Sequence, residues 1–259
     1  MRYFFHIGYQ GTAYRGWQKF PDINSVQNTI EQTLEKVLKL KTPIIGCGRT
    51  DAGVHAAQFY FHADIEKTID FDLKWRLNQN LPADISVFDV FEVSDERHAR
   101  FDAISRSYDY FIHVEKDPFL CQYSTFYDVP DLNYASMHDA VALLMLYDDY
   151  KSFCKTPAKY RTTICEITKA ALFVGERGRL RFHISANRFL SGMIRVIVGH
   201  LVQIGRGDMT KDEFESMLIT KAPSPNVARA PAQGLYLSSV VYPYVSLPPR
   251  TDFVPMLSR

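Results

Sequence analysis

The spacing of apolar residues predicts strands that alternate with helices along nearly the whole chain. Aromatic and β-branched residues dominate the strand-like segments, and apolar residues recur every three to four positions in the helix-like segments. Strands are predicted over residues 2–9, 42–45, 54–63, 85–93, 105–114, 162–174, 180–186 and 235–241. Helices are predicted from an N-cap at Ser25 to residue 39, and over 71–81, 134–146 and 189–204. The adjacent strands 162–174 and 180–186 are predicted to form a hairpin.

The order of these elements is similar in the two halves of the chain. We therefore predict an α+β fold of two pseudo-duplicated halves, in which helices cover one face of a mostly antiparallel sheet. The predicted division is an N-terminal half over residues 1–104, a C-terminal half over 105–247 and a tail over 248–259.

Composition places the chain among globular proteins. Its 259 residues are 46% apolar and 14% aromatic, which supplies a sizeable core and excludes disordered and fibrous classes. No apolar run approaches the roughly 20 residues of a membrane span, and the N-terminus does not have the pattern of a signal peptide. The four cysteines include no C-x-x-C pair, which favours reduced thiols over a zinc site or a disulfide framework. We expect a cytoplasmic protein without membrane contact.

Charge is unevenly distributed, although the net charge is only +1. Residues 117–150 hold six aspartates and no lysine or arginine, whereas residues 176–206 hold six arginines beside a single glutamate. A second basic group consists of Arg97, Arg100 and Arg106. Such clusters are either ordinary solvated charge or the local positive field that binds a phosphate backbone.

The most unusual segment is a glycine-framed loop, GCGRTDAGVH at residues 46–55. It is not a dinucleotide-binding fingerprint, because aspartate occupies the position of the third glycine and a strand follows instead of a helix. Asp51 is either a turn residue that bonds to nearby backbone or a carboxylate nucleophile. A nucleophile needs a fixed, desolvated site and a cationic partner that keeps it ionised.

Arg195 is a candidate for that cationic partner. It lies near the apolar stripe of helix 189–204, where an arginine is costly to bury unless it meets a carboxylate. The alternative is that its stem covers apolar surface while the guanidinium reaches solvent.

Arg106, Tyr108 and Tyr110 point to one face of the strand predicted over residues 105–114. Basic and aromatic side chains together suit stacking on an unpaired base, which contributes roughly 1 to 3 kcal/mol per base. A core strand edged by tyrosines is the alternative interpretation.

Motifs of metal-dependent and serine hydrolases are absent from the sequence. Neither H-E-x-x-H nor G-x-S-x-G occurs, and His55 and His62 should face opposite sides of their strand, which separates them as metal ligands. A carboxylate–metal phosphotransferase would need a second carboxylate near Asp51, for which Asp64 and Asp102 are the candidates.

Several blocks of residues, in the same order through nearly the whole chain, resemble the tRNA pseudouridine synthase A family. They are GWQ at 16–18, SVQ at 25–27, GRTDAGVH at 48–55, ARF at 99–101, RSYDY at 106–110, SFCK at 152–155, residues 189–199 and AQGLYL at 232–237. One such block would be a modest signal, whereas their joint order is specific. Asp109 and the segments 56–58 and 225–229 depart from the family pattern.

The resemblance implies roles for five residues. Asp51 would be the catalytic carboxylate that attacks the target nucleoside, at the sugar or at the base, so that the uracil detaches, rotates and rejoins through carbon. Arg195 would pair with Asp51 and keep it ionised, and Tyr108 would stack on the flipped uracil and assist proton transfer. Arg49 would fill the space left by the extruded base, and Leu235 would line the pocket.

The resemblance also implies a fold, a substrate and partners. The halves would be ferredoxin- or RRM-like with the active-site cleft between them, and the substrate would be uridine 38, 39 or 40 in the tRNA anticodon stem-loop. The basic segments 97–106 and 177–206 would contact phosphates, and a homodimer would contact tRNA through both subunits. No metal and no cofactor is expected. The competing hypothesis is a tRNA-binding or folding module on the same fold that performs no catalysis.

Overall fold

A computed structural model describes residues 1–129, 131–223 and 229–258, and these form two compact units. The first unit contains residues 1–104 and 236–251, and the second contains 105–235 and 252–258. Residues 236–247, which we predicted to lie in the second half, thus belong to the first unit. The duplication of the halves and their functional boundaries stay predictions.

Strands and helices are interspersed along the chain in both units. In chain order they are β1 (Arg2–Tyr9), α1 (Val26–Leu38), β2 (Ile45–Gly46), β3 (His55–Asp64), α2 (Leu73–Asn80), β4 (Ile85–Val93), β5 (Ser105–His113), β6 (Thr125–Phe126), α3 (Tyr134–Leu143), β7 (Ile167–Val174), β8 (Leu180–Ala186), α4 (Met193–Arg206), α5 (Lys211–Thr220), β9 (Leu235–Val241) and α6 (Val254–Ser258). The predicted α+β class is confirmed.

In the first unit, β1 lies between β3 and β4 and is antiparallel to both. The short β2 is antiparallel to β3, and β9 runs parallel to it through the pairs His55–Tyr236 and Ala56–Leu237. Aromatic residues fill the core: Phe5 stacks on Phe61 at a ring-centroid distance of 4.5 Å across the β1–β3 pair. These contacts make β3 the rigid strand into which the glycine-framed loop runs.

In the second unit, β8 lies between β5 and β7 and is antiparallel to both, while β6 adds to β5 in parallel. Helix α3 packs against α4, α5 and β7. The predicted hairpin of the strands now seen as β7 and β8 is confirmed. The prediction of mostly antiparallel strands also holds within each unit.

Several predicted boundaries are wrong for local physical reasons. The strand predicted over 42–45 forms at Ile45–Gly46 instead, and β7 begins only at Ile167, after an isolated bridge between Asp149 and Ile164. The helix predicted from residue 189 begins at Met193, because Gly192 has a φ of 72° in the left-handed region and interrupts the helical backbone.

Three further elements escaped the sequence analysis, although one carries a clear signal. Helix α5 begins with a capping box in which the Thr210 side chain accepts from the Glu213 backbone and the Glu213 carboxylate accepts from the Thr210 backbone. Strand β6 has only two residues and helix α6 only five, which is too short for a periodic signal. Across the described part of the chain, no helix is long and apolar enough to cross a membrane.

Candidate active site

The loop between β2 and β3 is fixed by hydrogen bonds on both sides of Asp51. The buried Thr50 hydroxyl lies 2.9 Å from the Tyr9 hydroxyl, and the Thr50 carbonyl accepts from the Trp17 backbone N–H at 3.1 Å. The Asp51 carbonyl accepts from the Val54 backbone N–H at 3.2 Å. The Asp51 and Arg49 side chains are exposed, so the loop holds two charged groups at the surface on a rigid backbone.

The GWQ block at residues 16–18, which we call the brace, packs against the backbone of this loop at Thr50. Gly16 has a φ of 96°, and a Cβ atom there would lie 2.6 Å from the Thr50 carbonyl oxygen. Trp17 stacks on Phe59 at 4.0 Å and thereby ties the brace to β3. The SVQ block holds the brace in turn, because Val26 donates to the Gly16 carbonyl at 3.2 Å. No role was predicted for Gly16, Trp17 or Val26 from the sequence.

Replacing Gly16 with alanine should destabilise the first unit and displace the Asp51 loop. The left-handed backbone alone costs about 1–2 kcal/mol for a residue with a Cβ, and the contact with the Thr50 carbonyl adds an overpacking cost of about 1–3 kcal/mol. The control is Gly207→Ala, since Gly207 has a φ of 80° but no atom of the described residues within 4 Å of where an added Cβ would lie. Urea unfolding should therefore show a larger loss for Gly16→Ala; equal losses would contradict the proposed brace.

His55, where the loop enters β3, is a structural residue. Its Nδ1 accepts from the Gly11 backbone N–H at 3.0 Å, and its ring stacks on Tyr236 at 4.5 Å. His62 further along β3 accepts from the Ala99 backbone N–H at 3.1 Å, and burial lowers the pKa of His62 to about 4. Both rings therefore serve the packing of the first unit.

A groove of about 850 Å³ adjoins the loop directly after Asp51. Ala52 and Gly53 line it together with the segments 12–15 and 22–24. The two segments are joined by the hydrogen bond from Arg15 N–H to the Asn24 carbonyl at 2.9 Å. The exposed Arg15 side chain offers a cation beside the loop.

In the second unit, Tyr108 on β5 is half-buried and meets Phe189 edge-to-face, with ring centroids 5.2 Å apart at 85°. Arg106, two residues earlier on the same face, donates from Nη1 to the Asn187 carbonyl at 3.4 Å. Both contacts join β5 to the turn that precedes α4. They therefore orient the Tyr108 ring relative to that turn and leave part of the ring exposed.

Arg195, in the first turn of α4, is half-buried and tied to one residue through two hydrogen bonds. Its Nε donates to the Ala230 carbonyl at 2.6 Å, and its own carbonyl accepts from the Ala230 backbone N–H at 2.9 Å. The Arg195 side chain is thus oriented by the chain through its Nε. Leu235, at the end of the segment that begins with Ala230, is buried.

The five residues predicted to act together are therefore carried by different units. Asp51 and Arg49 lie in the first unit, and Tyr108, Arg195 and Leu235 lie in the second. Each side chain belongs to a segment that hydrogen bonds fix within its own unit. The pairing of Asp51 with Arg195 stays a prediction.

Two arginines of the segment 177–206 are engaged by carboxylates. Arg179 lies 3.6 Å from Asp117 and Arg181 lies 3.6 Å from Asp109. Asp109 is buried and also contacts His183 Nδ1 at 2.9 Å. Because neighbouring residues on a strand face opposite sides, Asp109 points away from the face of Tyr108, which explains how β5 accommodates this departure from the family pattern.

Other cations gather around the turn before α4. A Cβ on Gly192 would lie 3.4 Å from the Lys155 Cβ and 3.8 Å from the Arg229 Cδ. Arg188 lies over the Tyr160 ring at 5.8 Å, and the Tyr160 hydroxyl accepts from the backbone N–H of residue 191 at 2.8 Å. The SFCK block thus supplies a cation, Lys155, that the sequence analysis did not single out. The atypical segment 225–229 lies outside the described residues except for Arg229.

The ARF block exposes basic and aromatic side chains on the first unit. Ala99 is fully buried and anchored by His62, whereas the Phe101 side chain is 74% exposed. Arg100 lies 5.8 Å from the Phe101 ring centre, and Arg97 lies 4.3 Å from that of Tyr244. Ala99 thus anchors an exposed surface on which arginine and aromatic side chains lie next to each other. We call it the Arg97–Arg100 surface.

The carboxylates that a metal-dependent alternative would need are bound to other groups. Asp64 accepts two hydrogen bonds of 2.8 Å from Arg2, which lower the pKa of Asp64. Asp102 accepts from the His98 backbone N–H at 2.9 Å and from the Tyr244 hydroxyl at 2.8 Å. Among the residues that the structure describes, no group of three His, Cys, Asp or Glu side chains is arranged to hold a metal ion.

Comparison with known proteins places these residues in a family. A family model described as tRNA pseudouridine synthase matches residues 143–243. Over 248 residues the chain is 39% identical to a tRNA pseudouridine synthase A of Porphyromonas gingivalis, covering 93% of this chain and 97% of the relative. It is 40% identical over 246 residues to that of Parabacteroides distasonis (93% and 96% covered), and 35% over 241 to a tRNA pseudouridine synthase A 2 of Bacillus anthracis (91% and 97%). The chain belongs to the tRNA pseudouridine synthase family.

Proposed function

We propose that this protein converts uridine to pseudouridine at positions 38, 39 or 40 of the tRNA anticodon stem-loop, with Asp51 as the nucleophile. Membership of the family makes the chain an isomerase of tRNA. The observation that carries the assignment of the nucleophile is the geometry of the loop. Its backbone is bonded on both sides of Asp51, while the carboxylate is exposed to an incoming nucleoside.

The proposed reaction breaks the N1–C1′ bond of the uridine and forms a C5–C1′ bond. The proton on C5 leaves to solvent, and N1 takes up a proton, so the reaction is an isomerisation without redox change. Attack by Asp51 on the sugar or on the base is compatible with this balance. Because Asp51 is exposed, the desolvation that a carboxylate nucleophile needs has to come from the bound RNA.

The other residues have roles in orientation and recognition. Arg195, oriented by Ala230, would hold Asp51 ionised, and Tyr108 would stack on the extruded uracil. Arg49 would occupy the space that the base leaves, and Leu235 would line the uracil pocket. The groove beside Ala52 and Gly53 would accommodate RNA next to the target nucleotide.

Phosphate contacts are assigned to only part of the basic segments, because Arg179 and Arg181 already lie against Asp117 and Asp109. Lys155, Arg188 and Arg229 around Gly192 and the Arg97–Arg100 surface are suited to the backbone of a folded RNA. The proposal includes a homodimer that contacts tRNA through both subunits and works in the cytoplasm.

The test is release of tritium from tRNA that carries a single 5-tritiated uridine, at position 38, 39 or 40, in the presence of EDTA. We expect release to solvent from at least one of these tRNAs and none from a matched tRNA labelled at position 32 of the same loop. Release from position 32 at the same rate would contradict the assigned positions. Tight binding of all four tRNAs without any release would favour the non-catalytic binding module.

A further inference from the structure

The segment from Ala230 to Leu235 is attached to the rest of the second unit by three hydrogen bonds. Ala230 exchanges two hydrogen bonds with Arg195, as described above. The next carbonyl, that of Pro231, accepts from the Tyr110 hydroxyl at 2.8 Å. The Tyr110 hydroxyl also lies 2.7 Å from the Thr125 Oγ1. The segment that contacts Arg195 and ends at Leu235 is thus held by Tyr110 on β5. We call Tyr110 and Thr125 together the anchor.

The direction of the protons in this anchor follows from the groups involved. A carbonyl oxygen only accepts, so the single hydroxyl proton of Tyr110 goes to Pro231. The Thr125 hydroxyl must then donate to the Tyr110 oxygen, which gives a chain that runs from Thr125 through Tyr110 to Pro231. Such chains strengthen each of their bonds by polarisation.

Burial keeps the anchor in one protonation state. Tyr110 is 0% exposed and Thr125 is 1% exposed. Desolvation raises the pKa of Tyr110 well above its ordinary value, so the phenol stays protonated and can donate at neutral pH.

The far end of the segment is equally constrained, just before Leu235. A Cβ on Gly234 would lie 2.7 Å from each of three atoms: the Phe111 carbonyl oxygen, the Thr125 Oγ1 and the Tyr110 Cζ. The backbone of the segment therefore touches Tyr110, which binds its beginning, and Thr125, which binds Tyr110, so little room exists for it to shift.

We propose that Tyr110, supported by Thr125, is a positioning residue that orients the Arg195 guanidinium. The inference rests on the proposed function, since it presumes that Arg195 serves the reaction. The Nε of Arg195 is bound to Ala230, so the terminal nitrogens are the ones that would hold the Asp51 carboxylate. Their direction is set by the position of Ala230, which the bond from Tyr110 to the neighbouring carbonyl fixes.

Tyr110→Phe tests this because it removes the hydroxyl and keeps the packed ring. We expect the single-turnover rate of tritium release to fall about tenfold, within the loss that a small misplacement of a catalytic group produces, while affinity for tRNA stays within twofold. The matched control is Tyr150→Phe in the same unit. Tyr150 is also fully buried, and its hydroxyl donates to the Leu144 and Tyr147 carbonyls. Loss of the Tyr150 hydroxyl should leave the single-turnover rate of tritium release unchanged.

Variants of Thr125 distinguish the effect of the hydrogen bond on the rate from the effect of packing. Thr125→Val keeps the shape and loses the hydroxyl, so it should slow the reaction as Tyr110→Phe does. Thr125→Ser keeps the hydroxyl and should retain most of the rate. If Tyr110→Phe fails to fold, which thermal unfolding will show, this pair of variants tests the same chain.

The decisive readout is a double variant, because a positioning residue acts only through its partner. In an Arg195→Lys background, Tyr110→Phe should change the rate by less than twofold. A full additional tenfold loss, or a Tyr110→Phe enzyme as fast as Tyr150→Phe, would overturn the inference while the activity itself stands. A wild-type protein that releases no tritium would instead overturn the proposed function, and the inference with it.

Discussion

Replacement of Asp51 with asparagine is expected to lower tritium release from tRNA by about 10⁴-fold or more, the order of loss seen when an enzyme loses its nucleophile. Asparagine has nearly the shape of aspartate but is uncharged, and its amide nitrogen cannot form the proposed covalent bond. Because Thr50 and Val54 hold the backbone through their own hydrogen bonds, the loop should keep its conformation. The affinity for tRNA should therefore be retained, and single-turnover release with saturating enzyme measures the chemical step alone.

The control for this experiment is Asp139→Asn. Asp139 is an exposed carboxylate on α3 in the second unit, so its loss changes net charge equally without touching the loop. We expect wild-type release from this variant. Equal release by wild type and Asp51→Asn would remove Asp51 as the nucleophile and leave the enzymatic activity in place, whereas equal inactivity of both would favour the binding module.

The elements of the core could be predicted because period and composition determine them. Strands β1, β4 and β8 begin and end where the aromatic and β-branched residues place them. Ser25 acts as the expected N-cap by accepting from the Asn28 backbone N–H at 3.3 Å. Errors occur where backbone conformation overrides pattern, as at Gly192, whose left-handed φ starts α4 later than its apolar residues suggest.

The candidate site could be predicted only as separate motifs. The glycine-framed loop and the Arg-x-Tyr-x-Tyr pattern on β5 are visible in the sequence because their residue types are unusual together. The contacts that orient them are not visible, since they use backbone carbonyls that every residue has. The bond from Arg195 to the Ala230 carbonyl and that from Trp17 to the Thr50 carbonyl belong to this class.

Charge patterns were the least reliable guide to function. The arginines of the segment 177–206 suggested one phosphate-binding surface, yet Arg179 and Arg181 lie against Asp117 and Asp109. Carboxylates of the acidic stretch (Asp117) and of β5 (Asp109) therefore partly neutralise the basic stretch within the second unit. Linear sequence cannot show this, because strand pairing and the turns around it decide which charges meet.

Loss of the Arg195 charge should have the second-largest effect on the reaction. Removing one partner of a buried ion pair costs about 3–5 kcal/mol, which corresponds to a rate loss of about 10²- to 5 × 10³-fold when the pair, buried by the bound RNA, is needed in the chemical step. We expect such a loss in single-turnover release for Arg195→Met. Arg195→Lys keeps the charge but lacks the planar fork and the Nε that binds Ala230, so an intermediate loss of about tenfold is expected.

The matched control is Arg76→Met, because Arg76 is an exposed arginine on α2 whose guanidinium lies 4.0 Å from the Phe71 ring centre. The Arg76→Met variant should release tritium at the wild-type single-turnover rate. If Arg195 acts by keeping Asp51 ionised, its charge has no further role once Asp51 is neutral. The double variant Asp51→Asn/Arg195→Met should then be no slower than Asp51→Asn alone, since residues that act as a unit are not additive. A wild-type rate for Arg195→Met would refute the pairing and require another cation for Asp51.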